Sequence, residues 1–218
     1  MKVSNERLVK IPSGSVFLEG MLALPPSAQG VVLFAHGSGS SRHSPRNNFV
    51  AARLREAGLG TLLIDLLTPE EDRDYERRFD IPLLVERLHD SVRWLAADPS
   101  TRGLAVGLFG ASTGAAAALQ LAAAVPSKVS AVVSRGGRPD LAGKVSLERV
   151  KAPTLLVVGG DDTEVLILNE AAYAHLACPK SLFIVPGATH LFEEPGTLEV
   201  AASHAAEWFT RHLAPAMA

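Results

Sequence analysis

Cysteine is almost absent from this chain of 218 residues, which contains only Cys178. One cysteine cannot form a disulfide within the chain, and no CxxC pair is present to hold a structural zinc ion. The sequence also has no HExxH pattern and no spaced cluster of histidine and cysteine. We therefore expect neither a metal ion nor another cofactor, a reducing cytoplasmic location, and a buried unreactive thiol at Cys178.

An excess of one charge is missing as well. The 21 lysine and arginine residues nearly balance the 23 acidic residues, and both kinds are scattered along the chain. This distribution argues against a nucleic acid or a membrane surface as the partner. A small neutral substrate remains possible, and the sequence leaves the oligomeric state open.

Long apolar runs are the third missing feature. No segment approaches the roughly 20 apolar residues that a membrane-spanning helix needs, and the first residues lack the apolar stretch of a signal peptide. The hydrophobic share of 47% is nevertheless that of an ordinary globular protein. At this length one hydrophobic core is the first expectation, so we predict a single domain over residues 1–218.

Short apolar runs alternate with helix-like stretches along the chain. The runs are rich in valine, leucine and isoleucine, as in strands buried on both faces, and they cover residues 31–35, 60–66, 104–109, 129–134, 154–158 and 181–185. The helix-like stretches cover residues 49–57, 82–97, 115–124, 165–176 and 198–213. This alternation predicts an α/β fold with a mostly parallel central sheet and helices on both faces.

Two segments depart from the alternation. Residues 7–11 and 16–24 flank a turn-like stretch, which predicts an antiparallel hairpin at one edge of the sheet. Residues 68–78 are dense in charge and lack apolar periodicity, so we predict a mobile surface loop there. Nothing between the middle strands is long enough to form a helical lid domain.

A G-x-S-x-G pattern formed by Gly110, Ser112 and Gly114 lies between an apolar run and an alanine-rich, helix-like stretch. A serine on such a sharp strand-to-helix turn projects from the carboxyl edge of the sheet as a nucleophile. The glycines are needed there because the two backbones pass in close contact. The pattern alone also fits a tight turn with a helix-capping serine. The strand before it and the helix after it favour a nucleophile elbow.

A serine nucleophile needs a base within hydrogen-bond reach and an acid that orients the base. In folds with this elbow, the acid and the histidine follow the serine in that order, each in a loop after a late strand. Asp161 and Asp162 follow one late apolar run, and His190 follows the last one. Four other histidines lie in helix-like stretches, so His190 is the predicted base.

Four stretches of the sequence together resemble the α/β-hydrolase superfamily. They are His36-Gly-Ser-Gly-Ser-Ser, Gly-Ala-Ser112-Thr-Gly, Gly-Gly-Asp-Asp162 and Pro-Gly-Ala-Thr-His190, in the order that the superfamily has. The similarity runs from the first strands to the final helix and is greatest to the dienelactone-hydrolase-like branch. Dienelactone hydrolase itself is built around a cysteine nucleophile, so Ser112 implies ordinary ester cleavage instead of the dienelactone reaction.

The resemblance implies roles for two further residues. The spacing of Gly159, Asp162 and Val165 matches the family pattern for the acid, which favours Asp162 over Asp161. His36 matches the His-Gly pair that shapes the loop after the first parallel strand, so we expect a structural role for it.

The oxyanion of a tetrahedral intermediate needs backbone donors. The fold supplies one N–H from the residue after the nucleophile and one from the loop after the first parallel strand, which are those of Thr113 and Ser38. Gly37 and Gly39 suit a loop that exposes N–H groups. These glycines also imitate the start of a dinucleotide-binding GxGxxG, but Arg42 stands at the third position, so nucleotide binding is not expected.

The resemblance implies a serine hydrolase that cleaves carboxylic esters of small substrates through an acyl-enzyme. Ser112 would be the nucleophile, His190 the base and Asp162 the acid, and no cofactor would be required. A lactonase or a thioesterase would use the same residues. The alternative from another class is a ligand-binding homologue that keeps the triad without catalysis, because fold does not fix function.

Arginines follow strands at the same predicted edge of the sheet. They are Arg42, Arg46, Arg135 and Arg138. Ligands of open α/β sheets bind at the carboxyl ends of the strands, and the arginine fork suits a carboxylate. These residues are therefore candidates for binding a negatively charged substrate, as arginine does in dienelactone hydrolases. The alternative is that they are solvated or pair with acids such as Asp65 and Asp140.

Overall fold

One eight-stranded sheet forms the centre of the protein. The computed structural model describes residues 5–214. The strands are β1 Asn5–Ser13, β2 Val16–Leu24, β3 Val31–Ala35, β4 Gly60–Ile64, β5 Val106–Ala111, β6 Ala131–Arg135, β7 Thr154–Gly159 and β8 Lys180–Val185. The α-helices are α1 Pro45–Glu56, α2 Ile81–Ala97, α3 Thr113–Ala124, α4 Lys144–Arg149, α5 Thr163–His175 and α6 Thr197–Leu213.

The strands lie in the order β1-β2-β4-β3-β5-β6-β7-β8. β2 is antiparallel to both of its neighbours, whereas every pair from β4 to β8 is parallel. Parallel neighbours need crossover connections, which the helices supply. The predicted α/β fold, a mostly parallel sheet with an antiparallel hairpin at one edge, is confirmed.

Helices cover both faces because the middle strands are apolar on both sides. Every residue of β3 to β7 is buried. Phe209 of α6 and Leu54 of α1 are buried against one face, and Leu88 of α2 and Leu119 of α3 are buried against the other. Each such side chain contributes roughly 1.5–3 kcal/mol by its burial. Within residues 5–214, no helix is both long enough and apolar enough to cross a membrane.

The charged segment 68–78 lies at the surface, as predicted, and it contains regular 3-10 turns; its mobility stays a prediction. It contains the 3-10 turn Glu71–Arg73 and most of a second one, Glu76–Phe79. Arg87 of α2 is only 5% exposed, and its Nη2 lies 2.8 Å from Oε1 of Glu71. Because a buried charge needs a partner, this ion pair holds the first turn against α2.

Backbone packs against backbone at the turn from β5 to α3. Ser112 has φ 51° and ψ −123°, a backbone conformation that residues other than glycine rarely adopt. A Cβ added at Gly110 would lie 2.4 Å from Cα of Ala115, and one at Gly114 would lie 2.2 Å from the carbonyl oxygen of Ala35. Helix α3 therefore touches both β5 and β3, and only glycine leaves room for these contacts.

We predict that Gly114→Ala strongly destabilises the protein, because the added Cβ forces α3 away from the β3 backbone. The free energy of unfolding in a urea titration should fall by about 3 kcal/mol or more. Gly58→Ala is the control, since its φ is also positive, at +84°, but nothing lies within 4 Å of the added Cβ. That variant should lose only about 1 kcal/mol. Equal losses in the two variants would contradict the steric explanation.

Candidate active site

The carboxyl edge of the parallel strands collects the residues that the sequence singled out. Ser112 follows β5 and Arg135 ends β6, while Asp162 and His190 follow β7 and β8. The loop that contains Ser38 follows β3 at the same edge. Parallel neighbours bring their carboxyl ends to one side of a sheet, which is where ligands bind in open α/β folds.

A pocket of about 240 Å³ opens at this edge around Ser112 and His190. Its lining residues are Gly37, Ser38, Ser40, Ser44, Arg46, Asn47, Ala111, Ser112, Arg135, Gly136, His190 and Leu191. Another pocket of about 470 Å³ lies between α2 and the end of α3. Because it lies where those helices end, at the opposite edge of the sheet, it is remote from the elbow. The smaller pocket is therefore the candidate active site.

Asp162 is the aspartate that contacts His190. Its Oδ2 lies 2.7 Å from Nδ1 of His190. A carboxylate only accepts hydrogen bonds, so Nδ1 carries the hydrogen, which leaves Nε2 as an acceptor. The neighbouring Asp161 is exposed, and its backbone N–H donates to the carbonyl oxygen of Ala188. The structure thus puts the second aspartate of the pair, the one that the family pattern favours, beside the histidine.

Ser112 and His190 line the same pocket without a direct hydrogen bond between them. Among residues 5–214 the side-chain hydrogen bonds of His190 comprise only the one to Asp162. Catalytic hydrogen bonds are often long without substrate and shorten in the complex. The arrangement therefore presents an oriented histidine to a pocket that also contains the elbow serine.

Glu194 braces the loop that carries His190. Its carboxylate accepts from the Thr189 N–H at 3.0 Å and from the Thr189 hydroxyl at 2.6 Å. These hydrogen bonds from Thr189 lower the pKa of Glu194. The sequence analysis missed this residue, because a glutamate four positions after a histidine carries no pattern of its own.

The two predicted oxyanion donors are adjacent, but one of them is engaged. The N–H of Ser38 donates to the side-chain hydroxyl oxygen of Thr113 at 3.0 Å. Gly37 lies against the elbow, since a Cβ added there would lie 2.9 Å from Cβ of Ser112. The loop after β3 is therefore in contact with the nucleophile turn.

His36 connects the loop after β3 to Leu66 through hydrogen bonds of its ring, and it does not line the pocket around Ser112. Its Nε2 accepts from the Leu66 N–H at 3.0 Å, and its Nδ1 lies 2.9 Å from the carbonyl oxygen of Gly37. Burial lowers the pKa of His36, which favours the neutral ring that these two bonds require. Its contacts are those of a structural residue.

The four arginines do not converge, so that expectation is corrected. Arg42 pairs with Asp65 and with Glu19, and Arg138 makes a two-pronged pair with Asp140 at 2.8 and 2.7 Å. Neither residue lines the pocket. Both pair with the carboxylates, Asp65 and Asp140, that the sequence analysis named as the alternative partners.

Arg46 and Arg135 do line the pocket, and Arg135 is short of partners. Arg135 is 7% exposed, and its Nε and Nη1 are buried without a hydrogen bond to any group within residues 5–214. Burial, with a smaller effect from Arg46, lowers the pKa of Arg135 to about 10, so it stays charged at neutral pH. Its guanidinium carbon lies 5.5 Å from the ring centre of Phe192, and Arg46 reaches Glu193 at 3.2 Å.

Comparison with known proteins assigns this architecture to a family. The model of the dienelactone hydrolase family matches residues 18–214. Dienelactone hydrolase from Anabaena variabilis has a crystal structure that matches with a TM-score of 0.93 at 55% identity, covering 96% of this chain and 99% of that one. Est1E from Butyrivibrio proteoclasticus matches with a TM-score of 0.80 at 16% identity, covering 94% and 98%. These matches identify the α/β-hydrolase fold.

Two strains of Mycobacterium tuberculosis have a relative that is 58% identical over 205 residues, or 94% of this chain. Its name proposes a phosphoribosyl transferase. The match covers 46% of the relative, so this chain spans about half the length of those curated relatives.

We predict that Asp162→Asn lowers kcat for a short aryl ester by roughly three to four orders of magnitude, because asparagine no longer holds the histidine in its productive tautomer. Asp161→Asn is the matched control and should cost much less, since its side chain does not contact His190. Steady-state kinetics of both variants test the assignment. If kcat fell strongly in Asp161→Asn and stayed high in Asp162→Asn, the assignment of Asp162 as the acid would be wrong.

Proposed function

Because the chain belongs to the dienelactone hydrolase family, we propose that it cleaves carboxylic esters of small substrates through an acyl-enzyme on Ser112. The protein is a hydrolase of the α/β-hydrolase type, and the ester substrate and catalytic residues are our inference. One observation carries it: the elbow serine shares a pocket with His190, whose Nδ1 lies 2.7 Å from Asp162.

Acylation begins when Oγ of Ser112 attacks the ester carbonyl carbon and Nε2 of His190 takes the hydroxyl proton. The carbonyl electron pair moves to oxygen and gives a tetrahedral oxyanion. Asp162 stabilises the imidazolium ion that forms. When the intermediate collapses, the bond to the leaving alcohol oxygen breaks, and His190 returns the proton to that oxygen.

Deacylation repeats the steps with water. His190 takes a proton from water, the water oxygen adds to the acyl carbon, and Ser112 leaves with the proton that His190 returns. We propose the backbone N–H groups of Thr113 and Ser38 as donors to both oxyanions. The cycle requires no cofactor, because both protons move through the same histidine.

Lactones and thioesters are the related substrates, since they differ from esters only in the leaving group. The transferase name of the mycobacterial relatives is not carried over, because the match leaves more than half of their length uncovered. A ligand-binding protein without turnover is the alternative outside enzymes, and the oriented histidine in the serine pocket argues against it.

A screen of short aryl esters, lactones and thioesters with wild type and Ser112→Ala tests the proposal. We expect turnover of an aryl ester in the wild type and a loss of about 10⁴-fold or more in Ser112→Ala, because the nucleophile is gone. A fluorophosphonate probe should label Ser112 in the wild type only. An unlabelled wild type that turns over none of these compounds would leave the ligand-binding alternative.

We further propose that the substrate carries a negative charge, held by Arg135 with Arg46 beside it. Two guanidinium nitrogens of Arg135 are buried beside Ser112 without a protein partner in the described part of the chain. Buried charged groups are costly unless they are paired, and a carboxylate accepts charge-assisted hydrogen bonds from a guanidinium group. An anionic group of the substrate would supply the negative charge and the hydrogen-bond acceptors that Arg135 lacks within the described residues.

The anionic preference is measured by kcat/KM for a nitrophenyl ester with a free carboxylate, divided by that for its neutral amide analogue. We expect a ratio of about ten or more in the wild type, which falls close to one in Arg135→Met, because charged hydrogen bonds contribute roughly 1.5–3 kcal/mol. Arg138→Met is the control and should keep the ratio, since Arg138 pairs with Asp140. Added salt should lower the wild-type ratio. A ratio that is unchanged in Arg135→Met would refute the anionic site.

A further inference from the structure

Two consecutive asparagines near the start of α1 have different surroundings. Nδ2 of Asn48 donates to the carbonyl oxygens of Arg42 and Ser44 at 2.8 and 2.9 Å, which connects α1 to the loop after β3. The side chain of Asn47 makes no such bond within residues 5–214, and only its backbone N–H donates, to Oγ of Ser44 at 3.3 Å. One asparagine therefore holds the loop, and the carboxamide of the other has no structural partner.

Asn47 is nevertheless buried, and it lines the pocket around Ser112. The residue is 3% exposed, and its Oδ1 has no hydrogen-bond partner in the described part of the chain. A buried polar group without a partner destabilises the folded protein, and a leucine of similar size would avoid that cost. Packing alone thus does not account for a carboxamide at this position, whereas a polar group of a substrate in the pocket would.

The pocket as a whole is small and polar. Its volume of about 240 Å³ lies below the roughly 300–1,000 Å³ of ordinary ligand pockets, which are lined mainly by apolar and aromatic side chains. Here only Ala111 and Leu191 are apolar, apart from the glycines, and Ser40 and Ser44 line the pocket together with Asn47. Such a lining suits a short acyl group that has hydrogen-bonding groups of its own.

A hydroxyl group is the substituent that best matches the carboxamide of Asn47. A carboxamide has a donor and an acceptor atom, and the torsion that exchanges the two is soft. A hydroxyl group both donates and accepts, so it can pair with either atom. A carboxylate only accepts, and Arg135 is already the group proposed to bind it.

We propose that Asn47 is a specificity-determining residue that binds a hydroxyl group on the acyl part of the substrate. This inference rests on the proposed hydrolysis at Ser112 and narrows its substrates to esters or lactones of short hydroxy acids. The acyl part is chosen because it stays bonded to Ser112 through both halves of the reaction, whereas the alcohol leaves after the first.

Replacement of Asn47 by leucine tests the proposal with neutral esters, which keep the effect of Arg135 out of the comparison. The hydroxyl preference is kcat/KM for nitrophenyl 2-hydroxybutyrate or 3-hydroxybutyrate, divided by that for nitrophenyl butyrate. We expect the larger of the two preferences to fall roughly threefold to tenfold in Asn47→Leu, the factor that one neutral hydrogen bond represents. Differences in the intrinsic reactivity of the esters cancel, because the same esters are used with both proteins.

Thermal unfolding separates this role from a structural one. Asn47→Leu should unfold at the temperature of the wild type or above it, because an apolar group replaces an unpaired polar one. Asn48→Leu is the matched control. It should unfold at a lower temperature, since it loses two hydrogen bonds, and should keep the wild-type hydroxyl preference. Asn47→Ala serves if the leucine variant does not fold, and it should lose the preference to the same extent.

Binding of the free acids separates this inference from the proposed function, because binding needs no turnover. Calorimetry should show that the wild type binds 2-hydroxybutyrate or 3-hydroxybutyrate more tightly than butyrate, and that Asn47→Leu binds all three alike. That result supports the inference even when every ester is inert, an outcome that counts against the proposed function alone. An equal hydroxyl preference in active wild type and Asn47→Leu overturns the inference. It is also overturned if the esters are inert and the wild type binds neither hydroxy acid more tightly than butyrate.

Discussion

The close approach of α3 to β3 is the constraint on which the candidate site depends. At Gly114 an added Cβ would lie 2.2 and 2.5 Å from the carbonyl oxygens of Ala35 and His36, so the helix backbone rests directly on the end of the strand. This contact places the loop after β3 against Ser112. The carbonyl oxygen of Ser112 also accepts from the Arg138 N–H at 3.0 Å, so the loop after β6 is attached to the same turn.

Features that depend on short stretches of chain could be predicted from the sequence. The parallel strands are continuous apolar runs, and their predicted ends differ from the observed ones by two residues or fewer. The elbow around Ser112 could also be predicted, because its glycines and its serine form a short pattern. Gly110 is required by a contact with Ala115, five residues away, and Gly114 by a contact with the end of β3. His190 could be singled out because its place after the last strand separates it from histidines within helices.

Features that depend on distant partners could not be predicted. The pairing of Glu71 with Arg87 holds the 3-10 turn Glu71–Arg73 against α2, and nothing near Glu71 in sequence indicates this pair. For the arginines the sequence named Asp65 and Asp140 as possible partners but did not decide between pairing and substrate binding: Arg42 pairs with Asp65, whereas Arg135 pairs with no carboxylate within the described residues. Sequence reasoning could place all four at one edge of the sheet, but which of them enter the pocket is decided by where the acids fall in three dimensions.

The lone guanidinium of Arg135 links the folding equilibrium to the composition of the solution. A charge that is buried without a partner weakens the folded state. An anion that binds only the folded protein stabilises it by mass action, in proportion to the logarithm of its concentration once the site is largely filled. If small anions bind Arg135 as proposed, the temperature of thermal unfolding rises with their concentration, whether or not any of them is a substrate.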